Sequence, residues 1–258
     1  MTITLTSSET AARDLLQRWD QQQTAYIRHR ALRFDTIARV VAASCGSSPR
    51  ILDLAAGPGS LTAALLAQLP EAEAVAVDKD PVLVRIAREV FRGDQRVRVV
   101  DADLDSSTWV AAVTDERPFD AIVSSTALHW LTPDVLTRVY GECAGLLRPG
   151  GVLLNGDHLY YDAISAPTLR SISERDADEF LRASHAEGAE EWDAWWAAAE
   201  AIPDFADEAA ERARRWAGSE PPLKVTLGYH LEALRSVGFA ETGTVWQFLD
   251  DFVVYGVR

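Results

Sequence analysis

Residues Ile51, Leu52, Asp53, Leu54, Ala55, Ala56, Gly57, Pro58, Gly59 and Ser60 read as a strand that runs straight into a glycine turn and then a helix. Glycine at 57 and 59 permits positive φ and lets a ligand touch the backbone, and the helix amino end that follows favours a negative group. Asp78 closes the next apolar run, nineteen residues after Gly59. A carboxylate there can take both hydroxyls of a ribose. A dinucleotide fingerprint has similar spacing but needs a third glycine in the first helical turn, where this chain has Leu61, Thr62 and Ala63. Pro58 between the glycines and Asp53 at the strand end also fit that fingerprint poorly.

Outward from this turn, residues 50–155 alternate short β-branched runs at 51–54, 74–77, 97–100, 121–124 and 152–155 with helical spacing at 61–69, 81–91 and 133–147. That alternation predicts a doubly wound α/β core with a mostly parallel sheet. Ligands of such sheets bind beyond the carboxyl ends of the strands. Residues 157–222 break the pattern: they hold Trp192, Trp195, Trp196 and Trp216, with sixteen acids against six arginines. The expected organisation is a core with N-terminal helices over 1–156, a helical lid over 157–222, and a returning helix with an antiparallel hairpin over 223–258. Residues 8–43 read as helical, and the acidic run 187–193 as a solvated helix face.

The chain of 258 residues carries 39 acids and 25 bases, a formal charge of −14. This argues against nucleic acid as the main partner, because phosphate backbones are bound by clustered cations. Its composition, 48% hydrophobic and 25% charged, is that of a globular domain. Cys45 and Cys143 are too few for a disulfide framework and read as two buried thiols in a reducing compartment. Neither a membrane-length apolar stretch nor the layout of a signal peptide in MTITLTSSET is evident, so the expectation is a cytoplasmic protein without a membrane partner, with a homodimer left open.

The same residues resemble the class I S-adenosylmethionine-dependent methyltransferases of the small-molecule type. Asp53 to Gly59 is similar to their first motif, with Ala55 where many members carry glycine. The resemblance implies a Rossmann-like, seven-stranded fold and S-adenosyl-L-methionine as cofactor. It implies Asp78 as the ribose acid and Asp101 or Asp103, with Leu104, at the adenine, the choice between the two aspartates staying open. Phe119 to Trp130 resembles the fourth-strand segment of the family, and Leu147 to Leu154 its fifth-strand entry. Lys79 and Ser124, at the second and fourth strand ends, complete the implied cofactor set. Arg18 to Phe34 is similar to a helix that covers the methionine end in small-molecule members, which implies Tyr26 and Arg30 at that carboxylate. Arg28 and Arg33 read equally well as a solvated basic face. No metal is implied.

Methyl transfer from a sulfonium depends chiefly on orientation, and a hydroxyl or ammonium acceptor also gains from a base. His129 follows the fourth strand and His158 the fifth, so both are candidate catalytic residues. His129 serves equally as a loop anchor beside Trp130. His230 reads as packing or capping, and Tyr160 and Tyr161 as pocket or lid core. A protein or RNA methyltransferase, a non-catalytic cofactor-binding regulator and an NAD-dependent dehydrogenase are the rival readings. The acidic insertion disfavours RNA, and the intact glycine turn and Asp78 disfavour the regulator. The glycine pattern and the absence of an evident Ser-Tyr-Lys group disfavour the dehydrogenase, since only Lys79 and Lys224 occur.

Overall fold

A computed structural model describes residues 6–116, 118–218 and 220–258; the first five residues of MTITLTSSET thus lie outside the described residues. Seven strands form one sheet: β1 (Arg50–Leu54), β2 (Glu73–Asp78), β3 (Val97–Asp101), β4 (Phe119–Ser125), β5 (Leu147–His158), β6 (Glu241–Phe248) and β7 (Asp251–Val257). The order is β3-β2-β1-β4-β5-β7-β6, and β7 alone runs opposite to the other six strands. This is the Rossmann-like methyltransferase fold. Helices α3 (Ser60–Gln68), α4 (Pro81–Val90) and α5 (Pro133–Leu146) make the crossovers. Pro81 and Pro133 stand in the first helical turn, where the missing N–H leaves no bond unmade.

The strand period of two distributes the core over both faces. Leu52, Ile122 and Leu153 pack on one side with Leu136, Val139 and Tyr140 of α5. Ile51, Ala121 and Val152 pack on the other with Leu61 and Leu65 of α3. That side is closed by Ile37 and Val41 of α2 (Arg30–Cys45). Burial of both faces explains the near-continuous apolar runs of the central strands. Strand order reverses between β1 and β4, which makes the crevice at their carboxyl ends the ligand position.

The N-terminal helical stretch is two helices, not one. The first, α1 (Ser7–Tyr26), ends where Ile27 turns extended at φ −127° and buries its side chain, and α2 starts three residues later. The insertion forms α6 (Pro167–Ala186), α7 (Trp192–Glu200) and α8 (Ala206–Arg215), and α9 (Leu227–Ser236) returns to the sheet. Trp195 and Trp196 of α7 bury against Ala12 and Leu15 of α1 and Val82, Leu83 and Ile86 of α4. The insertion therefore shares its core with the N-terminal helix. By contrast α8 buries no residue and is held by polar contacts described below. The acidic run 187–193 is not a helix face: Gly188 adopts φ +97°, α7 starts only at Trp192, and Glu190 pairs with Arg18 at 2.5 Å. Cys143 is buried, while Cys45 is half-buried and its thiol donates to the Asp120 carbonyl.

Candidate active site

The glycine turn between β1 and α3 is tied to the end of β2. Gly57 N–H donates to Asp78 Oδ2 at 2.7 Å, Asp80 N–H to Asp78 Oδ1 at 2.7 Å, and Ala56 N–H to the Val77 carbonyl. Gly59 lies at φ +95°, and a Cβ there would stand 2.4 Å from the Phe91 ring. Ala55 itself takes φ +50°, a conformation glycine adopts without strain, so the departure from the family's glycine carries a steric cost. Thr62, where a dinucleotide turn wants glycine, donates its hydroxyl to Asp53 Oδ2 at 2.6 Å.

Two buried acceptors of this turn, Asp53 Oδ1 and Ser60 Oγ, have no hydrogen-bond partner. Asp53 lies in β1 and Ser60 opens α3, so they flank the glycine backbone in the chain and leave polar capacity beside its amides. That donor and acceptor set fits the amino acid and ribose of S-adenosylmethionine. Burial pushes the Asp53 carboxyl up to about 7 and the Asp78 carboxyl up to about 6, from 3.8. A carboxyl raised in the folded state stabilises it fully below 3.8, and that contribution is lost as pH rises to about 6–7. With Asp78 as the ribose acid, ligand affinity is expected to move the opposite way, because a carboxylate accepts hydroxyls best when ionised. Titration calorimetry between pH 5 and 8 should therefore show S-adenosylhomocysteine binding strengthen through about pH 6. A flat profile would detach Asp78 from the ligand.

At the next strand ends, the Asp101 carboxylate receives both Arg215 Nη1 and Nη2 at 2.6 and 3.0 Å. Arg215 also donates to the Lys79 carbonyl, and Arg212 and Trp216 both donate to Asp80 Oδ2 at 2.8 and 3.1 Å. The end of α8 thus lies across the edges of β2 and β3. Asp103 is the freer acid: Lys79 Nζ stands 3.4 Å from it and 3.0 Å from Asp105, and the neighbouring Leu104 is buried. Ser124 is engaged within the sheet. It is buried, and its hydroxyl donates to the Leu54 carbonyl at 2.9 Å, cross-linking β4 to β1.

Across the switch point, a fully buried Asp157 organises both candidate histidines. His129 Nδ1 lies 2.7 Å from Asp157 Oδ1, and the backbone N–H groups of His129 and His158 donate to the same carboxylate at 3.1 and 2.9 Å. Burial opposes the charge, but His129 and the nearby Arg33 outweigh it and hold Asp157 at about 2. His158 is pushed below its ordinary value by burial and by Arg33, so it stands neutral at neutral pH. His230 is buried and bonds Tyr140, as a packing residue does.

Arg33 is not on a solvated face. Fully buried, it reaches Asp251 Oδ1 at 2.7 Å, Ser125 Oγ at 3.2 Å and Thr126 Oγ1. Its stem passes Gly156 so closely that a Cβ there would stand 2.8 Å from Arg33 Cδ. It thereby ties α2 to the ends of β4, β5 and β7, including Thr126 at φ +56°. Removing one member of a buried ion pair costs about 3–5 kcal/mol. Arg33→Met, which keeps the bulk, should lower Tm by roughly 10 °C, and adding Asp251→Asn should restore part of the loss. Scanning calorimetry with unchanged Tm would contradict this.

Tyr26 and Arg30 are engaged within the chain. Arg30 pairs with Asp20 at 2.9 Å and stacks over Phe34, while Tyr26 packs edge-on against His185 and Trp192. Among the described residues, neither makes a hydrogen bond, ion pair or ring contact with the glycine turn. Tyr161 donates to the Leu249 carbonyl, and the Lys224 ammonium stands 3.7 Å from the Tyr160 ring centroid. The residues that sequence reasoning missed are Asp157, Arg33, Asp251, Arg212, Arg215 and Trp216. For Asp157 a signal existed: an acid flanked by Gly156 and His158 at the end of a predicted strand.

Residues 51–151 match a family model described as a methyltransferase domain. Together with this fold and glycine turn, the match gives residues 51–151 the likeness of a methyltransferase domain. The chain is similar to the trans-aconitate 2-methyltransferase of Methylobacterium radiotolerans, 35% identical over 138 residues, or 52% of this chain and 48% of the relative. The corresponding protein of Azoarcus sp. is 37% identical over 138 residues, with 52% and 49% covered. The chain spans about half the length of these curated relatives. Among solved structures, an O-methyltransferase family protein from Burkholderia thailandensis superposes with a TM-score of 0.58 at 17% identity, covering 93% of this chain and 59% of that one. Human N-acetylserotonin methyltransferase in complex with SAM does so at 0.54 and 14% identity, covering 93% and 56%. At these identities the structural likeness concerns the fold.

Proposed function

We propose that the protein transfers the methyl group of S-adenosylmethionine to a small-molecule acceptor, with no nucleic-acid partner and in the cytoplasm. The observation that carries this reading is the placing of two sets of groups at one sheet edge. A backbone cradle with spare buried acceptors lies at the ends of β1 and β2, and an imidazole held by a buried carboxylate lies across the switch point. When bound, S-adenosylmethionine supplies an electrophilic methyl on a sulfonium. Gly57, Gly59, Asp78 and Asp103 would hold it, with Ala55 and Lys79 shaping the loops beside them. Asp53 contributes through the turn, and Ser124 through the strand ends it links. Asp157 fixes the His129 ring, so that the remaining nitrogen can receive a proton from the acceptor. No described helix is long and apolar enough to cross a membrane. The acidic insertion continues to disfavour RNA. Calorimetry with S-adenosylhomocysteine and with NAD tests the reading: binding of NAD alone would overturn it.

The insertion over 157–222 serves in this proposal as the lid, with α8 as its fastening. Its contacts to the cofactor edge are Arg212 and Trp216 on Asp80 and Arg215 on Asp101. Partly exposed ion pairs are worth about 0.5 kcal/mol each. Arg215→Ala should therefore speed S-adenosylhomocysteine association by about two- to threefold, while Arg214→Ala, whose side chain is 74% exposed, leaves it unchanged. Stopped-flow tryptophan fluorescence giving equal rates for both variants would mean a fixed wall.

A further inference from the structure

Resting on the methyltransferase reading, we infer that the acceptor is an amine bound as its ammonium ion in the cleft between α6 and the β6–β7 turn, with Asp250 as its counter-ion. The cleft is lined by Tyr26, Arg28, Phe180 and Phe248, together with His158 and Asp250.

Charge pairing gives the sign. Arg28 is committed to Asp176 at 3.1 Å, Arg30 to Asp20 at 2.9 Å and Arg33 to Asp251 at 2.7 Å. Asp250 lies in the same cleft and pairs with no arginine or lysine among the described residues; its ionisable neighbours are His158, Asp251 and Asp176. An anionic acceptor would meet this carboxylate with no cation left to receive it, whereas an ammonium completes the pairing.

The walls already hold one cation. The Arg28 guanidinium stands 4.3 Å from the Phe180 centroid and 6.0 Å from that of Phe248, which is the geometry in which ring faces attract positive charge. Asp250 is fixed in place by its turn: Leu249 adopts φ +49°, and its carbonyl accepts from both Tyr161 Oη and Gln247 Nε2. Leu159 N–H donates to the Asp250 carbonyl at 2.7 Å. His158 lines the same cleft, and as a neutral ring it adds no competing cation beside Asp250.

The test is calorimetry on the protein loaded with S-adenosylhomocysteine, using 2-phenylethylamine, 2-phenylethanol, 3-phenylpropionate and trans-aconitate as probes. The amine is expected to bind about tenfold more tightly than either carboxylate, with the alcohol between them. Asp250→Asn should remove that preference and Asp250→Lys should invert it, with retained S-adenosylhomocysteine binding showing that both variants are folded. Tighter binding of either carboxylate, equal binding of all probes, no probe binding, or an amine preference that survives both substitutions would overturn the inference. If the unloaded protein gives no heat with S-adenosylhomocysteine, the methyltransferase reading falls and takes this inference with it. A normal cofactor isotherm without amine preference removes only the acceptor assignment.

Discussion

Asp78→Ala is expected to weaken S-adenosylhomocysteine binding by about 10²- to 10⁴-fold, because two hydroxyls lose a charged acceptor, each such bond contributing about 1.5–3 kcal/mol. The structure adds a reason that the chemistry of a ribose acid alone does not supply. Both oxygens of Asp78 already accept backbone N–H groups, from Gly57 and Asp80, so the side chain also shapes the turn that faces the ligand. Asparagine should not rescue the loss, since its NH₂ would oppose one of those N–H donors. Calorimetry on Asp78→Ala and Asp78→Asn decides the matter. Wild-type affinity in either variant would remove Asp78 from the site.

The second large effect concerns turnover. His129→Ala should lower kcat by about 10²- to 10⁴-fold, the usual contribution of a positioned base, with cofactor affinity nearly unchanged. Asp157→Asn should reproduce much of that loss, because the charge that stabilises a protonated His129 ring disappears while the side chain keeps its shape. His158→Ala is the comparison. Residue order alone made the two histidines equivalent candidates, whereas the buried carboxylate engages the ring of His129 and only the backbone of His158. Rates under saturating cofactor across pH 5–9 separate the cases. If His158→Ala alone loses the limb near neutrality, the base is His158; if neither variant changes the rate, proximity carries the reaction.

Much of the fold was legible because it rests on local regularities. A strand buried on both faces needs an apolar run, a crossover helix needs helical spacing, and the turn between β1 and α3 needs glycine at φ +58° and +95°. Those requirements are met by neighbours in the chain, so residues 51–155 disclosed the parallel sheet, the glycine cradle and Asp78 at the strand end. The terminal hairpin was visible for the same reason. Its partner was not, since pairing of β7 with β5 joins residues about a hundred apart.

What only the tertiary structure decided is which polar side chains end up together. Arg33 and Arg28 stand five residues apart in one basic stretch, yet one is fully buried and the other reaches the cleft mouth, because the chain breaks at Ile27 and starts a new helix at Arg30. Ser124 links two strands through its hydroxyl, and of the two aspartates between which the sequence left the choice open, Asp101 is held by Arg215 from 114 residues away. Sequence determined the sheet and the chemistry available at its carboxyl edge. The assignment of each charge to its partner required the fold, because an ion pair depends on distances of a few ångströms between segments that no local pattern connects.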